Sequence, residues 1–441
     1  MNVRIKVGLV TVATLVSTAA AAQPPTVPSA ARHVDPVNGL SLDQAVARAL
    51  EQEPSLRAAR SQIDVARGMR EQSSLRPNPT VSFEHREEPQ GTDNQTMASF
   101  EWPLDPFRRD ARVAVADRQV AAAELAVANR RRLLIAVVRA RYGEVLAALR
   151  DLGLFDDLVA ASERQHDLLR ARVDEGATAP LDRDLVTVEL RRLESERLLQ
   201  AGRVEVSLVE LKRVLGMQPG AALMVRDTLE DAVLRESAAA ALPAPDVTSI
   251  IEQRADVRES AAQVEIAGAK IERTKREGRF DVNLYANYSR MNSGFPQLGV
   301  APTGGLTPIR SVFHYIAAGA VVTVPLRNRN QGELAAARAE QGGAVLTHQA
   351  ARLTAEAELA AARTRDDYAR QAVTIYASGV QGLARQNLAV VDQSFQLGRV
   401  TVFEVLTERR RYIDIERGYT DALRAAFEAR TALTQAIGEG R

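Results

Sequence analysis

Residues able to do acid–base, nucleophilic or metal chemistry are few in this chain and scattered along it. There is no cysteine, which removes disulfides, thiolate nucleophiles and Cys-based metal sites. The five histidines are His33, His85, His166, His314 and His348. They form no i,i+4 ligand pair and no methionine cluster accompanies them, so no metal site is expected. No Gly-rich phosphate loop or nucleophile elbow is present. No paired carboxylates stand out from those of ordinary exposed helices. The sequence thus points away from an enzyme and away from a bound cofactor. With 57 basic and 56 acidic residues the charge nearly cancels, and no nucleic-acid footprint follows. What remains is a pair of acids, Asp182 and Glu404, each one turn past a glycine, Gly176 and Gly398. Acids are favoured near helix starts by the helix dipole. Their matched setting is the first sign of a repeat.

The repeat is extensive. Gln62-Ile63-Asp64-Val65-Ala66 recurs as Gln263-Val264-Glu265-Ile266-Ala267, an offset of 201. Glu51-Gln52 and Arg57 recur at that offset as Glu252-Gln253 and Arg258. Further on, Pro103-Leu104, Gly176, Asp182 and Gly216 recur as Pro325-Leu326, Gly398, Glu404 and Gly438, an offset of 222. The 21-residue change of register falls between Phe83 and Pro103. A unit this long is no solenoid repeat, so each half must be a complete structural module.

Within each half the same elements are legible. Ser41, with Gln44 three residues on, starts a short helix that stops before Pro54. A second helix runs from about Ser55 to Ser74 and ends at Arg76-Pro77-Asn78-Pro79. Two alternating segments follow, Thr80–Arg86 and Gln95–Trp102. Val81, Phe83 and His85 share one face of the first; Ala98, Phe100 and Trp102 share one face of the second. Arg108 to Asp174 contains no proline and is rich in Ala, Leu, Arg and Glu, which predicts one helix about 100 Å long. A return helix runs from Leu181 to Leu215, with Gly216 as its cap. After an Ala- and Pro-rich linker, 217–245, the second half (246–438) replays the plan. It offers short helices over 247–278 and strands at Phe280–Arg290 and Phe313–Val324. The intervening loop Met291–Val312 carries the 21 extra residues. A long helix then runs over 330–396, and its return over 402–437.

The N-terminus sets the compartment. Arg4 and Lys6 precede the apolar run Val7 to Val16 and an Ala-rich stretch ending at Ala22. This is a secretory signal, 1–22, followed by an extended Pro-rich segment, 23–40. No cysteine follows the cleavage site, so lipid attachment there is excluded. No later stretch is apolar enough for a membrane helix. If the chain enters a membrane it does so as β-strands. Four strands cannot close a barrel, which needs at least 8, so chains must pool them: two give 8, three 12, four 16. The alternative is an exported coiled-coil adaptor or scaffold without a pore.

This plan resembles the TolC family of outer-membrane efflux proteins across nearly the whole mature chain. The resemblance rests on Leu42-Asp43-Gln44-Ala45, on Arg76-Pro77-Asn78-Pro79, and on the paired tips Arg172-Val173-Asp174-Glu175-Gly176-Ala177 and Ser394-Phe395-Gln396-Leu397-Gly398-Arg399-Val400-Thr401. The Ala/Arg/Glu-rich helices look most like the heavy-metal (CzcC-type) branch. The resemblance implies a mainly α protein with a small β part. Its homotrimer would form a 12-stranded barrel in the outer membrane and an α-helical barrel across the periplasm. It implies a passive duct for metal cations or drugs, serving a periplasmic adaptor and an inner-membrane pump. Site expectations follow from it. Asp182 and Glu404 would line the periplasmic gate, with Thr407 standing where the family has a second acid. Val173, Gly176, Leu397, Gly398 and Arg399 would meet the adaptor. Phe83, Phe100, Trp102, Val282, Leu284 and Tyr315 would lie on the membrane strands, and Trp102, Phe100, Tyr285, Tyr288 and Tyr315 suit an aromatic belt at the membrane interface.

Overall fold

The computed structural model describes residues 29–89, 91–238 and 246–438. The expected signal peptide, 1–22, lies outside the described residues, as do 23–28 and 239–245. The first half begins with α1 (Leu42–Gln52) and α2 (Pro54–Ser74). A hairpin, β1 (Thr80–Glu87) and β2 (Asn94–Pro103), comes next, then α3 (Arg109–Asp174) and α4 (Pro180–Val214). A helix α5 (Leu229–Ala238) lies between the halves. The second half repeats the order with α6 (Val247–Gln253), α7 (Ala255–Glu277), β3 (Asp281–Val300), β4 (Leu306–Thr323), α8 (Gln331–Ile375), α9 (Gln381–Gln396) and α10 (Val402–Ile437).

The caps explain where the helices start and stop. Ser41 and Gln44 form a reciprocal capping box on α1, and Glu53 accepts from the Leu56 amide to cap α2. At the far end of α3 the Ala177 amide bonds the Arg172 carbonyl at 2.8 Å and the Gly176 amide bonds Val173. Gly176 has φ +73°, so this is a Schellman closure that needs a left-handed residue. The same closure recurs at Gly398. At 66 residues, α3 is about 99 Å long. The stretch Gln331–Gln396 matches it in length but is not one helix. Residues Tyr376–Val380 form a π-helical turn between α8 and α9, with no counterpart in α3.

The loop expected at Met291–Val312 is instead mostly strand. β3 and β4 pair up to Val300↔Leu306, interrupted by a register shift between Phe295 and Leu298, and a short turn joins them. The prolines and glycines that read as loop are accommodated singly. Pro308 lies on β4, whose outer edge is unpaired in the chain, and Pro296 falls where the register shifts between Phe295 and Leu298.

All four strands form one antiparallel sheet in the order β1-β2-β3-β4. The helices extend from its base. α2, α3, α7 and α8 lie side by side, and the α3–α4 and α9–α10 hairpins continue away from the sheet. The main core sits where the halves meet, around Tyr142, Leu146, Leu208, Leu211, Leu423 and Phe427. The Tyr142 hydroxyl lies 2.8 Å from both the Leu40 carbonyl and the Asp227 carboxylate. Val34 and Leu40 bridge to Val225. The chain before α1 and the chain before α5 are thereby tied to α3. Burial, reinforced by the Asp227 charge, pushes the Tyr142 hydroxyl far up from its ordinary pKa, so it stays protonated.

Close approach of α10 to α3 depends on Gly143. A Cβ added there would meet Phe427 Cδ1 at 2.4 Å, whereas one at Gly202 on α4 would meet nothing within 4 Å. Replacing a helical glycine by alanine normally stabilises by about 0.5–1 kcal/mol. Gly202→Ala should therefore raise the apparent melting temperature. Gly143→Ala should lower it, by overpacking worth about 1–3 kcal/mol. Differential scanning calorimetry of the two variants checks the opposite signs.

Candidate functional site: a two-faced sheet and a closed pair of helical tips

The sheet register sorts its side chains onto two faces. Val81, Phe100, Ala286 and Ala318 are joined rung to rung, as are Phe83, Ala98, Tyr288 and Ile316. Trp102, Leu284 and Ala320 form the rung toward the helices, and Val282 pairs with Val322 beyond it. This face is apolar and open to its surroundings: Phe83 is 74% exposed and Ile316 83%. The opposite face carries Ser82, Glu84, Gln95, Ser99, Glu101, Asn283, Asn287 and Ser289. There Gln95 Nε2 bonds Ser289 Oγ at 2.9 Å. Five of the six expected strand residues, Phe83, Phe100, Trp102, Val282 and Leu284, share the apolar face. Tyr315 pairs with Ser289 and lies on the polar one, as does Tyr285.

β2 is 10 residues long and meets β3 along its whole length. At about 3.3 Å per residue and a tilt of about 40°, that ladder stands about 25 Å tall, the height of an outer-membrane apolar band. Among the described residues β1 and β4 each leave one edge unpaired. No helix among the described residues is long and apolar enough to cross a membrane.

At the other end the α3–α4 and α9–α10 tips lie together. Arg172 Nη2 donates to the Gln396 carbonyl at 2.9 Å, joining one tip to the other. Beneath them Leu169, Val186, Phe395, Val402, Val405 and Leu406 form a small core. Val173 is half-buried, while Gly176, Leu397, Gly398 and Arg399 are exposed. Two large apolar side chains beside them went unnoticed in the sequence. Leu181 is 66% exposed and Phe403 72%. Their signal was present: on α10 the buried stripe uses Val402, Val405 and Leu406, which turns Phe403 outward.

The two gate candidates differ in their surroundings. Glu404 is exposed and closes a capping box. Its carboxylate accepts from the Thr401 amide at 2.7 Å and the Thr401 hydroxyl at 2.9 Å, and its own amide donates to Thr401 Oγ1. Those bonds hold the Glu404 carboxyl below its usual range, so it is charged at neutral pH. Asp182 is half-buried in the first turn of α4, whose cap residue Ala179 offers no side-chain bond. Thr407 spends its hydroxyl on the Phe403 carbonyl.

One turn deeper the apolar stripe of α10 is broken by Arg409, which is 2% exposed. It donates to Gln165 Oε1 at 2.7 Å and to Ser162 Oγ, both on α3, and faces Asp392 of α9 at 3.8 Å. Burial lowers the Arg409 pKa and raises that of Asp392. Glu189 of α4, nearly buried, pairs with Arg192 at 2.7 Å. A polar layer thus separates the tip core from the next cluster, around Phe155, Leu193 and Ile413. Higher still, Arg150 binds Glu230 at 2.6 Å and the buried Glu416 at 2.8 Å, and Gln381, directly after the π turn, also reaches Glu416.

Residues 45–217 and 247–439 match the description "Outer membrane efflux protein". No curated protein matches. Among solved structures the chain is similar to CusC, at 17% identity with a TM-score of 0.71, covering 90% of this chain and 91% of that one. It is similar to the outer membrane protein VceC of Vibrio cholerae, at 19% identity with a TM-score of 0.70, covering 90% and 96%. It is also similar to the open state of the MtrE outer membrane channel of Neisseria gonorrhoeae, at 16% identity with a TM-score of 0.71, covering 90% and 89%. At these identities the neighbours speak for the fold, and the match over both halves speaks for the family. With an antiparallel sheet of one apolar and one polar face, long paired helices and that match, the chain belongs to the outer membrane efflux protein family.

Proposed function

We propose that three copies of this chain form the outer-membrane duct of a tripartite efflux system. The observation that carries this is the two-faced sheet with an open strand at each edge. In lipid every backbone polar group must be paired, so a β1 edge and a β4 edge require neighbours. Three copies pool 12 strands, with the apolar face toward lipid and the polar face toward the lumen. The helices below continue as a tube through the periplasm, reached by export through the signal peptide. Conduction is passive, and an inner-membrane pump supplies the energy. The paired tips, with Val173, Gly176, Leu397, Gly398 and Arg399 at their surface, are where a periplasmic adaptor would dock. Docking would separate the tips by breaking the Arg172–Gln396 bond and exposing the polar layer at Arg409.

Asp182 and Glu404, repeated by threefold symmetry, would place negative charge at the aperture. Rings of acids favour cations. That suits metal cations as cargo, with drugs as the other class; the susceptibility of a deletion strain to both sorts them.

Phe100→Arg places a charge on the lipid face near mid-ladder, at a cost of about 2–4 kcal/mol. It should hinder recovery in outer-membrane fractions, whereas Ser99→Arg, one residue along on the polar face, should be tolerated. A Phe100→Arg protein that assembles as wild type would count heavily against the barrel. Glu404→Gln isolates charge from structure, because glutamine also serves in a capping box. In planar bilayers its cation preference should fall several-fold while its melting temperature stays put. Unchanged selectivity would remove Glu404 from the gate.

A further inference from the structure

We propose that the outward face of the sheet carries a binding rung for the phosphoryl headgroups of outer-leaflet lipid, centred on Arg290. The inference rests on reading the apolar face as lipid-facing. His85 pairs with Thr96, Thr96 with Arg290, and Arg290 with His314. These four residues therefore form one continuous rung across all four strands, on the same face as Phe83, Phe100 and Leu284. With strands about 4.8 Å apart, the rung is about 14 Å wide.

Its height on the wall is set by the sheet itself. Glu88, Pro89 and Asp93 of the β1–β2 turn are polar or hydrogen-bonding groups that cannot lie in hydrocarbon. The apolar band must end below them. It starts near Phe280, which meets Phe107 edge-on at 5.0 Å where the strands join the helices. Arg290 lies ten residues beyond Phe280, which immediately precedes β3, and at the same tilt that is about 25 Å, the full height of the band. The rung therefore lies directly above the last apolar rung, Phe83–Ala98–Tyr288–Ile316, at headgroup level. It is on the side away from the helices.

The side chains are arranged as donors. Arg290 is exposed and has no ion-pair or hydrogen-bond partner among the described residues. His314 Nδ1 lies 2.7 Å from the Tyr288 hydroxyl, and His85 Nδ1 lies 3.0 Å from Thr96 Oγ1. With each hydroxyl donating to Nδ1, the imidazoles keep their proton on Nε2 as a free donor. A guanidinium flanked by two neutral N–H donors matches a phosphoryl group, which carries charge and several acceptor oxygens. A headgroup without a phosphoryl group would leave Arg290 uncompensated.

The test uses the full-length protein in zwitterionic detergent. Two probes are titrated: fluorescent lipid A with its phosphates, and the same lipid A with its phosphates removed. The wild type should bind the phosphorylated form about tenfold more tightly. Arg290→Gln should lose most of that preference, and Arg279→Gln, at the opposite end of the band, should keep it. Inorganic phosphate at about 1 mM should not displace the lipid. Equal binding of both lipids, an unaltered preference in Arg290→Gln, or displacement by free phosphate would each overturn the lipid site. A protein that inserts normally in the outer membrane yet shows no preference would sink the rung alone. A barrel failure would already have appeared as a tolerated Phe100→Arg.

Discussion

Hydrogen bonding of the strand edges governs everything else in this molecule. A lone sheet of four strands leaves a row of amides and carbonyls unpaired at each side, and in hydrocarbon each such group costs several kcal/mol. No change of side chain can relieve that cost; only another strand can. Assembly is therefore a condition of entering the membrane. The helices inherit the consequence, because closing such sheets in a ring, as proposed for three copies, would fix where the helical pairs beneath them must stand. Two near-equal halves suit that demand. Gly216 packs on Gln52 and Glu53, and Gly438 packs on Arg254, at matching places in the two halves. Each long hairpin thus returns to the same corner of its own module.

Below the core, stability is layered. The tip cluster around Leu169 and Val405 and the cluster around Phe155 and Ile413 are small. Between and above them lie buried charges, Arg409 with Gln165 and Arg150 with Glu416. Polar layers of this kind add little net stability compared with apolar packing, but they tolerate few alternative arrangements. The hairpins are consequently held in register without being welded together. That is a property expected of parts that must stay closed at rest and still be separable.

Much of this was legible from residues. Glycines at equal offsets located the tips because only a left-handed residue completes a Schellman closure. Alternation in Thr80–Arg86 and Gln95–Trp102 placed Phe83 and Phe100 on one face, since side chains in strands have period two. Other features were hidden. Gly294, Pro296, Gly299 and Pro308 read as a loop, yet Gly294, Gly299 and Pro308 lie in paired strand and Pro296 falls in the register shift beside Phe295. Gly294 and Gly299 sit beneath Arg310 and Ile309 of the partner strand. Nothing local in the sequence singles out Arg409, because its partner Gln165 is 244 positions away. Tyr315 is legible as a strand residue, because strand membership is local. Which face it occupies depends on its pairing with Ser289.

The π turn at Tyr376–Val380 has a geometric consequence for the second hairpin. A π turn holds one residue more than an α turn, and one residue is about 100° of helical rotation. The stripe that α8 presents is therefore out of phase with the stripe α9 presents, although one runs into the other. The same ribbon can then address α7 and α10 above, and below it α10 together with the tip contacts to α3 and α4. Tyr376 stacks on Tyr419 at 5.9 Å and fills the space over Gly418, which fastens the point where the phase slips. The uninterrupted α3 has no such joint. A twist applied at the second tip can be absorbed as a shift of phase at Tyr376, whereas the same twist on the first must be carried along the whole rod.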